Sequence, residues 1–169
     1  MAILEIRKYP DRVLKKKTVP ITTIDRELQT LVDNMIETMY AAPGVGLAAP
    51  QVGISKRLAV VDVSTKVSEM PLLVLINPVI LNKEGFIEFE EGCLSLPDFT
   101  SKVERAAKVV VHAVDREGKE FEIETEGLLS IALQHEIDHL NGILLIDRIS
   151  PIKREFFKKR CRKTRKQDR

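Results

Sequence analysis

His135, Glu136 and His139 stand in the run Gln134-His135-Glu136-Ile137-Asp138-His139, which has the His-Glu-x-x-His spacing. On a helix, residues four apart share one face a turn apart, so the two imidazoles could grip one metal ion. The Glu136 carboxylate, beside the first histidine, could reach a water on that ion and carry its proton. Such a set activates water and points to a metal-dependent hydrolase. The bland alternative is an ordinary helix with surface or core histidines. Against it, Leu128, Leu129, Ile131, Ala132 and Leu133 precede the motif. They make the helix a buried one, where His and Glu are costly without partners.

A catalytic metal site normally takes three protein ligands and leaves one position open. Zincin-type proteases draw the third from downstream, typically a His or a Glu. No histidine follows His139, and the remaining segment is short and basic. Cys93, in Glu91-Gly92-Cys93-Leu94-Ser95, is a better candidate because it follows a strand pattern in a Gly-containing turn. The competing use of a lone cysteine is as a small buried hydrophobe.

Three segments together resemble the motifs of the bacterial-type peptide deformylases, in order and over nearly the full chain. They are Gly44-Val45-Gly46-Leu47-Ala48-Ala49-Pro50-Gln51, Glu91-Gly92-Cys93-Leu94-Ser95 and Gln134-His135-Glu136-Ile137-Asp138-His139-Leu140. Tyr9-Pro10-Asp11 and Ile76-Asn77-Pro78 are also similar to that family. The resemblance implies removal of the N-formyl group from the formyl-methionine of nascent polypeptides, with release of formate. It implies that Cys93, His135 and His139 bind the metal and that Glu136 is the general acid/base. Gln51 and the backbone N–H of Leu94 would face the reacting carbonyl. Such an oxyanion donor is typically worth about 3 kcal/mol. The resemblance also implies Fe²⁺ as the physiological ion, with Zn²⁺, Ni²⁺ or Co²⁺ able to occupy the site. A Cys/His/His set taken by itself suits zinc.

The small residues around Gly44, Val45 and Gly46 would let an extended substrate backbone approach as an added strand. Val45, Phe89, Leu128, Ile131 and Ala132 are the expected walls of a methionine pocket, with core packing as the alternative for each. Gln51 could equally be a polar residue at a loop–strand junction. Asp138 is open between orienting a ligand, pairing with Arg105 and a solvated surface, and His112 reads as structural. Two other functions compete: a zincin-like metallopeptidase cutting unformylated chains, and a nucleic-acid- or ribosome-binding module with a structural metal. The latter needs a closed four-ligand site, and no fourth ligand is visible.

These groups need elements to hold them. Leu28, Leu31, Val32, Met35, Ile36, Met39 and Tyr40 recur every three or four residues and predict a helix. Thr22 or Thr23 is the expected cap, and Pro43-Gly44 the stop. The segment 44–51 has little helical or strand pattern. Short strands are predicted over 57–63, 72–76, 79–82 and 86–89, and a hairpin over 108–126 about Arg116-Glu117-Gly118-Lys119. The metal-motif helix follows, ended by Asn141-Gly142, and a third helix starts after Pro151. The expected fold is α+β. Short, mostly antiparallel strands surround the central motif helix, with one helix N-terminal to them and a basic one C-terminal.

The 169 residues suit a single domain, with 1–150 as its catalytic part and 151–169 as its basic tail. The net charge of +2 hides an asymmetry: residues 152–169 hold ten Lys/Arg and two acids, leaving the body acidic. That tail, with Phe156 and Phe157 docked on the body, is either a solvated helix or a contact for ribosomal RNA. No apolar run approaches the ~20 residues of a membrane span, and no signal peptide is apparent. A cytoplasmic monomer is therefore expected, with Cys161 a non-catalytic thiol.

Overall fold

The computed structural model describes residues 2–66 and 70–167, with side chains described through Lys163. Helix α1 spans Arg26–Ala41 and buries Leu28, Val32, Met35 and Met39, the predicted face. Its cap is Asp25, whose Oδ1 accepts from Leu28 N at 2.9 Å. Thr22 and Thr23 lie too far upstream of Arg26 to serve the first turn. Tyr40 leaves the apolar face, half-exposed, and donates its hydroxyl to Asp62.

Seven strands follow: β1 (Gly46–Ala48), β2 (Leu58–Val61), β3 (Leu73–Glu84), β4 (Ile87–Cys93), β5 (Leu96–Arg105), β6 (Lys108–Val114) and β7 (Glu120–Glu126). They pair antiparallel as a five-stranded sheet, β1-β2-β3-β6-β7, and a separate β4–β5 hairpin. Two expected strands, 72–76 and 79–82, are one. Pro78 does not break it, because the ladder slips between Ile76 and Val79 and needs no N–H there. Asn77 takes a φ of 50° at this bend, and its amide exchanges hydrogen bonds with both backbone groups of Ile21. Segment 44–51, expected to be irregular, contributes β1 and a 3₁₀ turn over Ala49–Val52.

Alternation along the strands divides the core. Leu47, Leu58, Val60 and Ile76 face α1, while Ala48, Ala59, Val61, Leu75 and Val111 face helix α2 (Gly127–Leu140). Helix α2 stops at Asn141 and Gly142. The φ of Gly142 is 74°, and a Cβ there would lie 2.5 Å from the Lys15 carbonyl oxygen, so only glycine fits. Helix α3 (Pro151–Gln167) caps a third cluster, where Phe157 packs with Tyr9 and Phe99. Only one of its two phenylalanines docks: Phe157 is 3% exposed, Phe156 69%. No helix of the described residues is long and apolar enough to cross a membrane.

Candidate metal centre

Helix α2 lies against the sheet through Leu133, Ile137 and Leu140, which turns His135, Glu136 and His139 toward the β4–β5 hairpin and β1. Cys93 ends β4, where a register slip opposite Leu96 opens the turn Leu94-Ser95. Its Sγ lies 3.3 Å from His139 Nε2, which lies 3.2 Å from His135 Nε2. The three donor atoms all fall within 4.8 Å of one another.

Ligands around a tetrahedral first-row ion, at bonds of about 2.0–2.3 Å, are about 3.3–3.6 Å apart. The observed spacings fit that geometry. The electrostatics agree. Burial, then the charge of His135, pushes the His139 pKa well below its usual value, keeping it a neutral donor. Burial opposes charge on His135 too, but Cys93 and the carboxylates of Glu136 and Glu91 outweigh it and raise its pKa well above the usual. A positive charge is therefore favoured at the point where the three donors converge, and a metal ion would replace that proton.

Glu136 is 4% exposed, and burial lifts its pKa to about 7. Its Oε1 has no hydrogen-bond partner among the described residues. Such a carboxylate is poised to exchange a proton near neutrality. Gly46 makes room for it, since a Cβ there would sit 2.5 Å from Glu136 Oε2. Gln51 is buried in the 3₁₀ turn. Its Oε1 accepts from Ala48 N at 3.0 Å, which aims Nε2 at Ser95 Oγ (3.1 Å) and Cys93 Sγ (3.7 Å). The loop–strand junction is thus real, but its amide points into the site.

A cavity of about 430 Å³ opens above these groups. It is lined by Gly44, Val45, Gly46, Gln51, Phe89, Cys93, Leu94, Leu128, Ile131, Ala132, His135 and Glu136. Every residue expected from the sequence to be a ligand, a catalytic group or a pocket wall thus faces one space except His139, buried just behind it. His112 lies elsewhere, on β6, 3.5 Å from Glu120.

Of the supports of this centre, only the Asp138–Arg105 pairing was legible in the sequence, as one of three readings of Asp138. Glu91 Oε1 lies 3.0 Å from His135 Nδ1, fixing that imidazole from behind. Arg105 holds Glu91 with two bonds, Nε to Oε2 at 2.7 Å and Nη2 to Oε1 at 2.9 Å, and reaches Asp138 Oδ2 through Nη1 at 2.8 Å. Asp138 is therefore a buried partner of Arg105, not a solvated acid. Gln134 clamps the backbone of Ala106, accepting from its N–H at 3.1 Å and donating to its C=O at 2.9 Å. For Glu91 and Gln134 the available signal was that both fall inside the motifs already noted.

Residues 3–155 match the polypeptide deformylase family profile. The chain is 63% identical to a peptide deformylase of Thermodesulfovibrio yellowstonii, over 98% of this chain and 100% of that one. It is 51% identical to a peptide deformylase of Rhizobium meliloti over 98% of this chain and 96% of that one. Its fold superposes on the crystal structure of a peptide deformylase from Legionella pneumophila with a TM-score of 0.90, at 49% identity, covering 98% of this chain and 97% of that one. A peptide deformylase from Ehrlichia chaffeensis in complex with actinonin gives the same TM-score at 36% identity, over 97% of this chain and 98% of that one. With a match this complete in sequence and in three dimensions, the chain belongs to the polypeptide deformylase family.

Proposed function

We propose that this metal-dependent hydrolase removes the formyl group from the N-terminal formyl-methionine of new polypeptides through Cys93, His135, His139, Glu136, Gln51 and Leu94. The observation that carries this assignment is the convergence of three metal-type donors, a buried carboxylate and an amide donor at and just behind the floor of one cavity. When bound, a divalent metal held by Cys93, His135 and His139 would supply Lewis acidity, making a water acidic near neutrality and polarising the formyl carbonyl.

The chain's own groups do the rest. Glu136 takes the proton of the attacking water and delivers it to the departing amine. The Gln51 amide and the Leu94 N–H donate to the carbonyl oxygen as negative charge develops on it. Val45 and Phe89 line the apolar pocket with Leu128, Ile131 and Ala132, facing the methionine side chain. Gly44–Gly46 accepts the substrate backbone as an added strand. Formate release from formyl-Met tripeptides, with no cleavage of unformylated peptides, is the expected result. Internal cleavage of the unformylated peptides would overturn it.

The resident ion is Fe²⁺, replaceable by Zn²⁺, Ni²⁺ or Co²⁺. Anaerobic purification with metal analysis tests this, and the iron form should lose activity in peroxide through oxidation at Cys93. Action on nascent chains supports a cytoplasmic location. Helix α3 exposes Lys153, Lys159, Arg160, Arg162 and Lys163, supporting contact with ribosomal RNA. Truncation after Pro151 would strip Phe157 from the core, so charge removal at Lys159 and Lys163 is the better test. It should weaken salt-sensitive ribosome binding and spare tripeptide turnover.

A further inference from the structure

Asp138 sits behind the metal-facing histidines and is shared by two arginines. Arg105 reaches only its Oδ2. Arg148, at the end of the 3₁₀ turn Leu145–Arg148, takes both oxygens: Nε to Oδ2 at 3.0 Å and Nη2 to Oδ1 at 2.7 Å. The alternation runs Arg148, Asp138, Arg105, Glu91, His135, two positive and two negative side chains ending on an imidazole.

We propose that Arg148 is a positioning residue for the metal centre, acting on His135 through Asp138, Arg105 and Glu91. This rests on the assignment of Cys93, His135 and His139 as the metal ligands. Arg105 has two carboxylates to serve and devotes its Nε and Nη2 to Glu91, leaving only Nη1 for Asp138. A bidentate pair is the preferred arrangement for any guanidinium and carboxylate. Asp138 is kept from claiming that second bond because Arg148 already occupies Oδ1. Without Arg148, the buried Asp138 carboxylate turns toward Arg105 and competes with Glu91 for its N–H groups. Glu91 then loses its fixed geometry, and with it the hydrogen bond that orients His135.

Arg148 is not there to fill the core. Its side chain is 41% exposed, against 4% for Arg105 and 12% for Asp138. A cleft of about 310 Å³, lined by Arg105, Asp138 and Arg148 among others, opens beside it. Small cations in solution can therefore enter where the guanidinium stands.

The test uses the zinc-loaded protein and follows zinc release to a chromogenic chelator in wild type, Arg148→Ala and Arg148→Lys. Removing a support directly behind a metal ligand typically costs about 10–100-fold in affinity, and Arg148 stands three partners beyond Glu91, the residue directly behind His135. Arg148→Ala should therefore release zinc a few-fold faster, at or below the low end of that range, with a lower kcat and unchanged KM. Lysine, which cannot hold both oxygens at once, should fall in between. Millimolar guanidinium should slow release from Arg148→Ala and leave wild type unchanged. Wild-type release rates in both variants, with only a lower thermal midpoint, would overturn the proposal. If Arg148→Ala does not fold, wild-type release from Arg148→Lys overturns it alone. His135→Ala separates the two readings. If it retains zinc, the ligand assignment fails, and if it loses zinc while Arg148→Ala and Arg148→Lys release at the wild-type rate, only the relay fails.

Discussion

Helix α2 carries His135, Glu136, Asp138 and His139 on a segment with eleven of its fourteen residues buried. Helix α3 carries a denser set of charges but, among the described side chains, buries only Phe157. On α2, His135, Asp138 and His139 are matched to a carboxylate, to guanidiniums and to the shared donor cluster, and Glu136 alone is buried with an oxygen left unpartnered among the described residues. Among the described cations of α3, Arg154 and Arg160 donate to the backbone carbonyls of Ile146 and Asp98, while Lys153, Lys159, Arg162 and Lys163 are exposed to water, where a charge costs little and a partner adds little. Polar groups inside an apolar helix therefore mark chemistry, because burial has to be offset by partners. A surface charge run marks at most an electrostatic footprint.

The largest expected effect breaks function without breaking α2. Glu136→Gln should lower formate release by about 10²–10⁴-fold, the range for a lost proton carrier. Metal content should not change. The thermal midpoint should hold or rise, because Glu136 Oε1 lacks a partner and a neutral amide of the same size is easier to bury. A midpoint well below wild type would mean that this carboxylate holds the helix, and the contrast between the helices would fail.

Phe157→Ala should do the reverse. The side chain packs on Tyr9 and Phe99, with ring centroids 5.3 and 4.8 Å away. Its loss should cost about 3–5 kcal/mol, read by urea unfolding, while formate release per folded molecule stays within a few-fold of wild type. A small stability change would show that α3 is hardly anchored.

The same contrast explains what could be read from the sequence. The α2 motif is local, a spacing of four on one helix, and the α+β architecture follows from strands in a block before it. The hairpin of β6 and β7 was legible through its Gly-containing turn. Strand β5 was not, because Pro97, Asp98 and alternating polar residues hide an element buried on one side at Leu96, Val103 and Arg105. The two sides of Pro78 read as separate strands, since a slipped register leaves no trace in composition. Arg105, Asp138 and Arg148 come together only when the β4–β5 hairpin and the segment after α2 close around the motif. Phe156 and Phe157 are equivalent in sequence and differ only by their angle around α3.

The smallest expected effect separates the two environments by pH. Asp147 precedes α3 and ties it to the N-terminal turn, accepting from Lys15 Nζ at 2.5 Å and from Leu144 N at 2.9 Å. Burial pushes its pKa up, but the Lys15 ammonium and the Leu144 N–H outweigh it and hold it below the usual carboxylate value. A depressed carboxyl pKa contributes stability that is present above the unfolded pKa of about 3.9 and lost as pH falls through the folded value. Asp147→Asn should therefore be less stable than wild type above pH 5, and the two should converge in more acidic solution. Asp147 is 29% exposed and Lys15 45%, so solvent screening keeps the difference within about 1 kcal/mol, and added salt should shrink it further. The Arg105–Glu91 pair, at 4% exposure on both sides, should not respond to salt in this way. A difference that persists unchanged into strong acid would make the Asp147 contact one of shape rather than charge. The seat of α3 would then resemble the buried network behind α2 more than the solvated surface above it.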